Sequence, residues 1–276
     1  MTRYTVIGAA GFVGRHVVKR LRAAGIEPVC PVRDDPALWD RDLGRIIYCA
    51  GLTGDYRTRP FATIEAHVAL LSRLVEQARF ERIVYLSSTR LYDLLADGAG
   101  KEDRAIPVNP GNAEHLYELS KMLGENLTLH RSNGRGAVAR LSYVFGWEED
   151  AQGFLSDWLR AARDKRKITL DSSPGFARDY IHVEDVAAAL VELVDSKVTG
   201  IVNVARGETL SNADIAALFT ERGWEVSFAR EGSSATRAGA INAAKLAELG
   251  ATARPVLPLI GQYLAGIVLA MGTAIQ

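Results

Sequence analysis

The sequence predicts an α/β fold in which helices cover both faces of a doubly wound, mostly parallel sheet. Short apolar segments alternate with segments of helical apolar spacing through residues 1–146. The strand segments are apolar throughout, as expected for strands buried on both faces. A glycine-rich turn also joins the first strand to the first helix. A smaller C-terminal lobe is expected from the later segments, whose periodicity is weaker.

Composition and charge exclude several classes of protein. The 276 residues are 48% hydrophobic and 24% charged, which is a globular and not a disordered composition. The 33 basic and 33 acidic residues balance, so the net charge indicates neither a nucleic-acid nor a membrane partner. Cys30 and Cys49 are expected to be reduced core residues, and the five histidines lack metal-ligand spacing, so no metal is predicted. No signal peptide is expected, so the predicted location is cytoplasmic.

The predicted elements follow one another in strand–helix order. Each strand is a short apolar run, and each helix has apolar residues three or four positions apart. Strands are predicted at 4–7, 29–32, 45–50, 82–86 and 137–144, and helices at 12–21, 64–78 and 114–130. A later helix at 183–194 and a strand at 201–204 are expected to return to the same sheet.

The turn after the first strand has the spacing of a phosphate-binding loop. Gly8 permits the tight turn, Gly11 lets the backbone approach a pyrophosphate, and Gly14 lets the helix pack on the strand. The backbone N–H groups of Phe12 and Val13 begin the helix, whose N-terminus attracts an anion. Between a strand and a helix, this spacing predicts dinucleotide binding in a Rossmann-type fold. Ala50, which ends a neighbouring strand, is expected to line the same cofactor site.

The position of the glycine loop near the N-terminus indicates which part of the chain binds the dinucleotide. Residues 1–146 are predicted to form the dinucleotide-binding domain, to which 180–205 return, and 147–179 and 206–276 the smaller substrate-binding lobe. The apolar stretch 256–275 has the length of a membrane span, but Pro258 and Gln262 interrupt it and no charged anchor follows. A helix packed on the smaller lobe or on a subunit partner is expected instead.

The end of the second predicted strand indicates which dinucleotide binds. An acidic residue there would hydrogen-bond the ribose 2′-hydroxyl of NAD. This chain has Val32 followed by Arg33, whose planar cation suits the 2′-phosphate of NADP. NADP is therefore predicted, with NAD as the alternative because Asp34 and Asp35 follow directly.

A tyrosine and a lysine four residues apart form the predicted catalytic pair. Tyr117 and Lys121 face the same side of the helix at 114–130, where an ammonium group would lower the phenol pKa. Tyr117 could then exchange a proton with an alcohol or sugar hydroxyl, and Lys121 could also bind a cofactor ribose. Ser88 lies at the carboxyl end of the strand 82–86, where its hydroxyl can polarise a carbonyl.

These motifs together resemble the extended short-chain dehydrogenase/reductase family, in its nucleotide-sugar epimerase/dehydratase group. The resemblance rests on the Gly8–Gly14 loop, Tyr85 to Ser88 with Tyr92, Tyr117 with Lys121 and Gly124-Glu125, and the run 178–186. That run is similar to the corresponding segment of UDP-galactose 4-epimerases. The chain length and residues 140–146 are closer to those of dTDP-4-dehydrorhamnose reductases.

The resemblance implies roles for individual residues. Ser88 would be the catalytic hydroxyl, Tyr117 the acid and base, and Lys121 its partner. Arg178 would contact the substrate diphosphate, or else form an ion pair with Asp179 or Asp185. Tyr143 stands where the family has a substrate-binding asparagine.

Two departures from the family pattern narrow the function. Thr89 and Arg90 replace the Asp-Glu pair of the dehydratases, and arginine cannot act as an acid or base at neutral pH, so dehydration is not expected. The segment between Arg33 and Ile46 is too short for the family's next helix and strand, on the adenine side of the pocket.

The predicted function is therefore that of an NAD(P)-dependent oxidoreductase acting on a nucleotide-activated sugar, as a keto-sugar reductase. An NAD-dependent 4-epimerase is the alternative, because both reactions would use Ser88, Tyr117 and Lys121. A dinucleotide-binding sensor without catalysis is a third interpretation. A homodimer is expected.

Overall fold

The computed structural model describes residues 2–151, 153–230 and 239–273, with side chains described as far as residue 269. In chain order the elements are β1 (Tyr4–Ile7), α1 (Phe12–Ala23), β2 (Arg45–Tyr48), α2 (Pro60–Ile64), α3 (Leu70–Gln77), β3 (Arg82–Ser88), α4 (Leu116–Arg131), β4 (Gly136–Leu141), β5 (Tyr143–Phe145), α5 (Phe154–Asp164), β6 (Lys167–Leu170), β7 (Ala177–His182), α6 (Val183–Asp195), β8 (Gly200–Val204), β9 (Thr209–Ser211), α7 (Asn212–Thr220), β10 (Glu225–Phe228), α8 (Ala244–Glu248) and α9 (Val256–Thr273).

The central sheet has five strands in the order β1-β2-β3-β4-β8, and every pair is parallel. Alternate residues of each strand enter two different apolar cores. In β3, Val84 and Leu86 pack against α1 and α6, whereas Ile83 and Tyr85 pack against α3. Helices therefore cover both faces, which confirms the predicted doubly wound α/β fold. The strand expected to return to the sheet is β8 at its edge.

The prediction of a second strand at 29–32 is wrong. Only Val29 pairs with the sheet, through a bridge to Thr5, and Val32 is 75% exposed. Cys30 is also exposed, so the expectation that it belongs to the core is wrong as well. One 3₁₀ turn at Pro36–Leu38 is the only regular structure between this bridge and β2. The short segment therefore lacks a full strand and helix, as the sequence length predicted.

The helix predicted at 64–78 begins earlier, at Pro60, and changes its winding. A π-helical segment at Glu65–Ala69 separates α2 from α3. Two carbonyls of this segment accept hydrogen bonds from strand tyrosines: Tyr48 donates to Ala66 O at 2.6 Å and Tyr85 to His67 O at 3.2 Å. The segment orients the His67 ring towards α4.

The strand predicted at 137–144 is two strands. β4 ends at Leu141, and β5 leaves the central sheet to pair with β7. β7 also pairs antiparallel with β9, and β6 pairs with β10. A separate apolar core is enclosed by β5, β6, β7, β9, β10, α5, α7 and α9, and its largest side chains are Trp158, Phe219 and Trp224. β7 crosses the predicted boundary at residues 179 and 180, so the division into two domains stays a prediction.

The apolar C-terminal stretch forms α9. Val256, Ile260 and Leu264 are buried in the second core, which agrees with a helix packed on the smaller lobe. Residues 274–276, at the end of the predicted stretch, lie outside the described residues. Within the described residues, α9 and every other helix fall short of the length and apolarity that crossing a membrane requires.

Candidate active site

The glycine loop lies at the carboxyl edge of the central sheet. Gly8 has φ +80°, and a Cβ atom there would lie 2.7 Å from the backbone nitrogen of Ala50. A Cβ atom on Gly14 would lie 2.2 Å from the Gly8 carbonyl oxygen, and Gly11 N donates to that oxygen at 3.0 Å. These contacts require glycine at both positions, and they place Ala50 beside the loop as predicted.

The N-terminus of α1 fits the pyrophosphate of a dinucleotide. Gly11 caps the helix without a side-chain hydrogen bond, and no acidic residue lies in the first turn. The first N–H groups, at Phe12, Val13 and Gly14, therefore have no side-chain acceptor within the helix cap. The Phe12 ring turns away from the loop, packs edge-on against His16 and approaches Gly146.

Arg33 lies on the surface beyond the edge strand β1. Its guanidinium forms no ion pair with any described residue, whereas Asp35 accepts a hydrogen bond from Arg41 at 2.8 Å. Asp34 has φ +60°, so the chain turns sharply directly after Arg33. The cation and the two carboxylates thus have different surroundings, although they are consecutive in the sequence.

The structure brings Ser88, Tyr117 and Lys121 together. Ser88 ends β3, and its hydroxyl lies beside the Tyr117 phenol and lowers the pKa of that group; Tyr117 is 2% exposed. Lys121 Nζ lies 5.9 Å from the Tyr117 ring centre and donates to Leu86 O at 2.9 Å. A Cβ atom on Gly51 would lie 3.4 Å from the same Nζ. Lys121 is therefore enclosed between α4 and the ends of β2 and β3.

The protonation states differ from the prediction. Burial raises the pKa of Tyr117 to about 12, although hydrogen bonds from Ser88 and Thr53 and the charge of Arg90 lower it. Burial lowers the pKa of Lys121 to about 7. The expectation that the lysine would lower the phenol pKa below its usual range is wrong here, because desolvation disfavours both charged forms.

A loop after β2 covers Tyr117. Thr53 lies beside the Tyr117 hydroxyl and lowers its pKa, and the Tyr56 and Tyr117 ring centres are 5.5 Å apart. On the other side, His67 lies edge-on to Tyr117, with its Nδ1 2.8 Å from Ser120 Oγ. No pattern in the sequence indicates Thr53, Tyr56 or His67, because only the fold brings them to Tyr117.

A buried polar network supports this end of β3. Ser87 donates to Glu125 at 2.6 Å, and Glu125 accepts two hydrogen bonds from Arg140. Arg140 also donates to the Tyr92 hydroxyl, which donates to Asn203 at 2.7 Å. The network ties α4 to β3, β4 and β8.

Tyr143 and Arg178 lie together beside Asp93. The Arg178 guanidinium carbon lies 5.2 Å from the Tyr143 ring centre, and a guanidinium nitrogen lies 3.7 Å from the Asp93 carboxylate. Tyr143 donates to Asp93 at 3.3 Å. The carboxylate beside Arg178 is therefore Asp93, not the expected Asp179 or Asp185. No sequence signal pointed to Asp93, which is distant along the chain.

Asp179 and Asp185 have other roles in the fold. Asp179 accepts hydrogen bonds from the backbone N–H groups of Arg206 and Gly207, and burial raises its pKa to about 6. Asp185 accepts a hydrogen bond from Arg254 at 2.7 Å. Over the described part of the chain, no group of three or more His, Cys, Asp or Glu side chains could hold a metal ion.

Comparison with known proteins supports the resemblance found in the sequence. The model of the NAD dependent epimerase/dehydratase family matches residues 4–205. The chain is 24% identical over 256 residues to the dTDP-4-dehydro-6-deoxy-D-allose reductase of Streptomyces bikiniensis, and the match covers 77% of this chain and 78% of that enzyme. The family match confirms the expectation of a nicotinamide dinucleotide cofactor.

Solved structures share the fold. MoeE5 in complex with UDP-glucose and NAD superimposes with a TM-score of 0.77 at 23% identity, over 99% of this chain and 100% of that one. RMD from Pseudomonas aeruginosa, complexed with NADPH, gives a TM-score of 0.74 at 21% identity, over 96% and 99% of the two chains.

Proposed function

This chain belongs to the NAD dependent epimerase/dehydratase family, and on that premise we propose that it is an NADPH-dependent reductase of a nucleotide-activated keto-sugar. The observation that supports this choice is that the strand predicted at 29–32 is only a single bridge at Val29. Only Val29 bridges to the sheet at the place where an adenosine-binding strand would lie. The adenosine half of a dinucleotide would therefore have few contacts with the protein. A reductase must release its oxidised cofactor after each turnover, whereas an epimerase keeps it. The short segment therefore favours the reductase.

The proton chemistry is consistent with reduction. Burial raises the pKa of the Tyr117 phenol to about 12, so this group carries the proton that a carbonyl reduction consumes. In the proposed reaction, Tyr117 gives its proton to the substrate carbonyl oxygen, which Ser88 polarises with a hydrogen bond. The bound dinucleotide supplies the hydride.

The remaining predicted residues bind rather than react. Lys121, with a pKa near 7, lies close enough to Gly51 to reach a cofactor ribose beside the loop. Arg33 is proposed to bind the 2′-phosphate of NADP. Tyr143 and Arg178 are proposed to contact the substrate. The relative that reduces a dTDP-linked keto-sugar supports this substrate class.

The test is a panel of dTDP-linked and UDP-linked keto-sugars incubated with NADPH or NADH. Loss of dihydronicotinamide absorbance, absent in Tyr117→Phe, would support the reductase. A parallel set of UDP-sugars without added cofactor tests the alternative. Formation of an epimer, with NAD recovered from the denatured protein, would contradict the reductase. Dinucleotide binding without turnover of any sugar would favour the sensor.

A homodimer is also proposed. Large apolar side chains are exposed on two neighbouring helices: Phe61 and Ile64 of α2, and Leu123 of α4. Apolar groups clustered on adjacent helices are typical of a protein interface. A cytoplasmic location is proposed because both cysteines are free thiols, as in a reducing compartment.

A further inference from the structure

Arg90 lies between two tyrosine rings at the active site. It belongs to the 3₁₀ turn after β3, two residues beyond Ser88. Its guanidinium carbon lies 4.9 Å from the ring centre of Tyr117 and 4.9 Å from that of Tyr56. Its Nε lies 2.8 Å from a Glu118 carboxylate oxygen, and Nη2 donates to the Tyr56 hydroxyl at 2.9 Å. Contacts on several sides therefore fix the cation above Tyr117.

Glu118 is the carboxylate that orients this arginine. It follows Tyr117 on α4, it is 3% exposed, and its second carboxylate oxygen is buried without a hydrogen-bond partner among the described residues. The ion pair with Arg90 is thus its main stabilising contact. A buried carboxylate in this position holds the partly exposed Arg90 side chain at the phenol.

The other ionisable groups around Tyr117 carry no positive charge in alkaline solution. Lys121 loses its proton near pH 7, and burial lowers the pKa of His67 to about 3, so its ring is neutral. The remaining groups that face the phenol are the Glu118 carboxylate and the hydroxyls of Thr53, Tyr56, Tyr85 and Ser88. Among the described residues, Arg90 therefore provides the permanent cation in contact with the Tyr117 ring.

We propose that Arg90 is a positioning residue for proton transfer, because its fixed charge stabilises the phenolate that Tyr117 becomes. In that step the phenol O–H bond breaks, the proton passes to the substrate oxygen, and the negative charge remains on the Tyr117 oxygen. A guanidinium over the ring attracts that charge both directly and through the π system. The proposal rests on the proposed role of Tyr117 as proton donor.

The experiment measures the ionisation of Tyr117 directly, without substrate. The full chain is labelled with 3-fluorotyrosine, whose phenol is more acidic than that of tyrosine because fluorine withdraws electrons. The ¹⁹F signal of Tyr117 is assigned by its loss in Tyr117→Phe and is followed as the pH is raised. Because no turnover is needed, the result is independent of whether a keto-sugar is ever reduced.

Arg90→Met keeps an unbranched apolar side chain and removes the charge. We expect it to raise the Tyr117 pKa by about one unit or more, a roughly tenfold weaker acid, as for loss of an adjacent opposite charge. Arg90→Lys should restore part of the shift, because an ammonium at that position is still a cation. An unchanged titration in Arg90→Met would overturn the proposal.

Arg57→Met is the matched control. The Arg57 guanidinium carbon lies 5.3 Å from the Tyr56 ring centre, and Arg57 pairs with Glu114, so this arginine also fastens the covering loop to the 3₁₀ turn Ala113–His115 that precedes α4. It is not among the cations that contact Tyr117. We expect its removal to leave the Tyr117 titration unchanged. An equal rise in Arg57→Met and Arg90→Met would overturn the proposal, because loosening of the loop would then explain both.

Glu118→Gln is a second test of the proposal, and it does not require that the Arg90→Met variant folds. Glutamine keeps an oxygen that can accept from Arg90 but removes the negative charge next to the phenol. The Tyr117 pKa should therefore fall, opposite in sign to the effect of Arg90→Met. A rise, or no change, would contradict an electrostatic role for this pair.

Discussion

Arg140 and Glu125 form a doubly hydrogen-bonded ion pair in the interior of the protein, with N–O distances of 2.8 and 2.7 Å. Their side chains are 4% and 6% exposed. The carboxylate also accepts a hydrogen bond from the Ser87 hydroxyl, so its oxygens accept three hydrogen bonds in all. Because both charges are desolvated, each depends on the other for compensation.

Arg140→Met should therefore destabilise the fold by about 3–5 kcal/mol, because it leaves the Glu125 carboxylate buried without its partner. Urea unfolding at neutral pH measures the loss. Arg230→Met is the matched control, because Arg230 also makes two hydrogen bonds to one carboxylate, Asp171, but on the surface. Its unfolding midpoint should hardly move. Similar losses in the two variants would mean that burial does not determine the strength of these pairs.

Tyr117→Phe should reduce turnover by about 10²–10⁴-fold, because it removes the proton donor and keeps the ring that packs against Tyr56. Dinucleotide affinity should stay near that of the wild type, since the pyrophosphate would bind the glycine loop. Steady-state kinetics with a keto-sugar and calorimetric titration with NADP measure the two effects. Wild-type turnover in the variant would remove Tyr117 from the mechanism.

Lys121 should make the stability of the free protein depend on pH. Its pKa in the folded state is about 7, below the 10.5 of an unperturbed lysine. Between these values the unfolded chain binds more protons, so this group increases stability as the pH rises from about 7 to 10.5. Unfolding midpoints of wild type and Lys121→Met, compared across that window, should differ progressively in favour of the wild type. Parallel curves would show that Lys121 keeps an ordinary pKa.

Arg33→Ala should weaken NADP binding by about 1.5–3 kcal/mol, as for loss of a hydrogen bond between charged groups. NAD binding should barely change, because NAD has no 2′-phosphate. Titration of both dinucleotides into both proteins separates the two cases. Equal losses would assign Arg33 a structural role. Tighter binding of NAD than of NADP by the wild type would favour the epimerase, with Asp34 or Asp35 at the ribose.

Leu123→Glu should convert the proposed dimer to a monomer, because it places a charge within the exposed apolar cluster of α2 and α4. Light scattering after gel filtration measures the mass. Leu269→Glu is the comparison, since Leu269 is exposed on α9, the other surface at which a subunit contact was expected. Dissociation by Leu269→Glu alone would move the interface to α9.

The sequence predicted best what local geometry determines. The spacing of Gly8, Gly11 and Gly14 and the four-residue step from Tyr117 to Lys121 depend on neighbours in the chain, and the structure places them as expected. The assignment of 29–32 to a strand failed because an apolar run does not show whether a partner strand lies beside it. Val32 has none and is exposed.

The rest of the site depends on contacts between distant segments. Asp93 reaches Arg178 because a 3₁₀ turn and β7 meet at one edge of the sheet, and no pattern in either segment indicates the other. The same holds for Arg90. Its place at a position where the dehydratases carry an acidic residue argued against dehydration, but it did not predict the contact with Tyr117. The pKa shifts of Tyr117 and Lys121 could not be predicted from the sequence either, since they depend on how completely the fold excludes water.

The single bridge at Val29 also protects the β1 edge of the central sheet from pairing with another molecule. Val29 exchanges two backbone hydrogen bonds with β1, at 2.9 and 2.8 Å, and Pro28 and Pro31 lie on either side of it. A proline has no N–H group, so the outward side of this segment cannot present a continuous row of donors to another chain. A parallel sheet with an open edge strand is at risk of edge-to-edge aggregation. A strand of one residue, with Pro28 and Pro31 close to it in the chain, thus protects the molecule against association through β1.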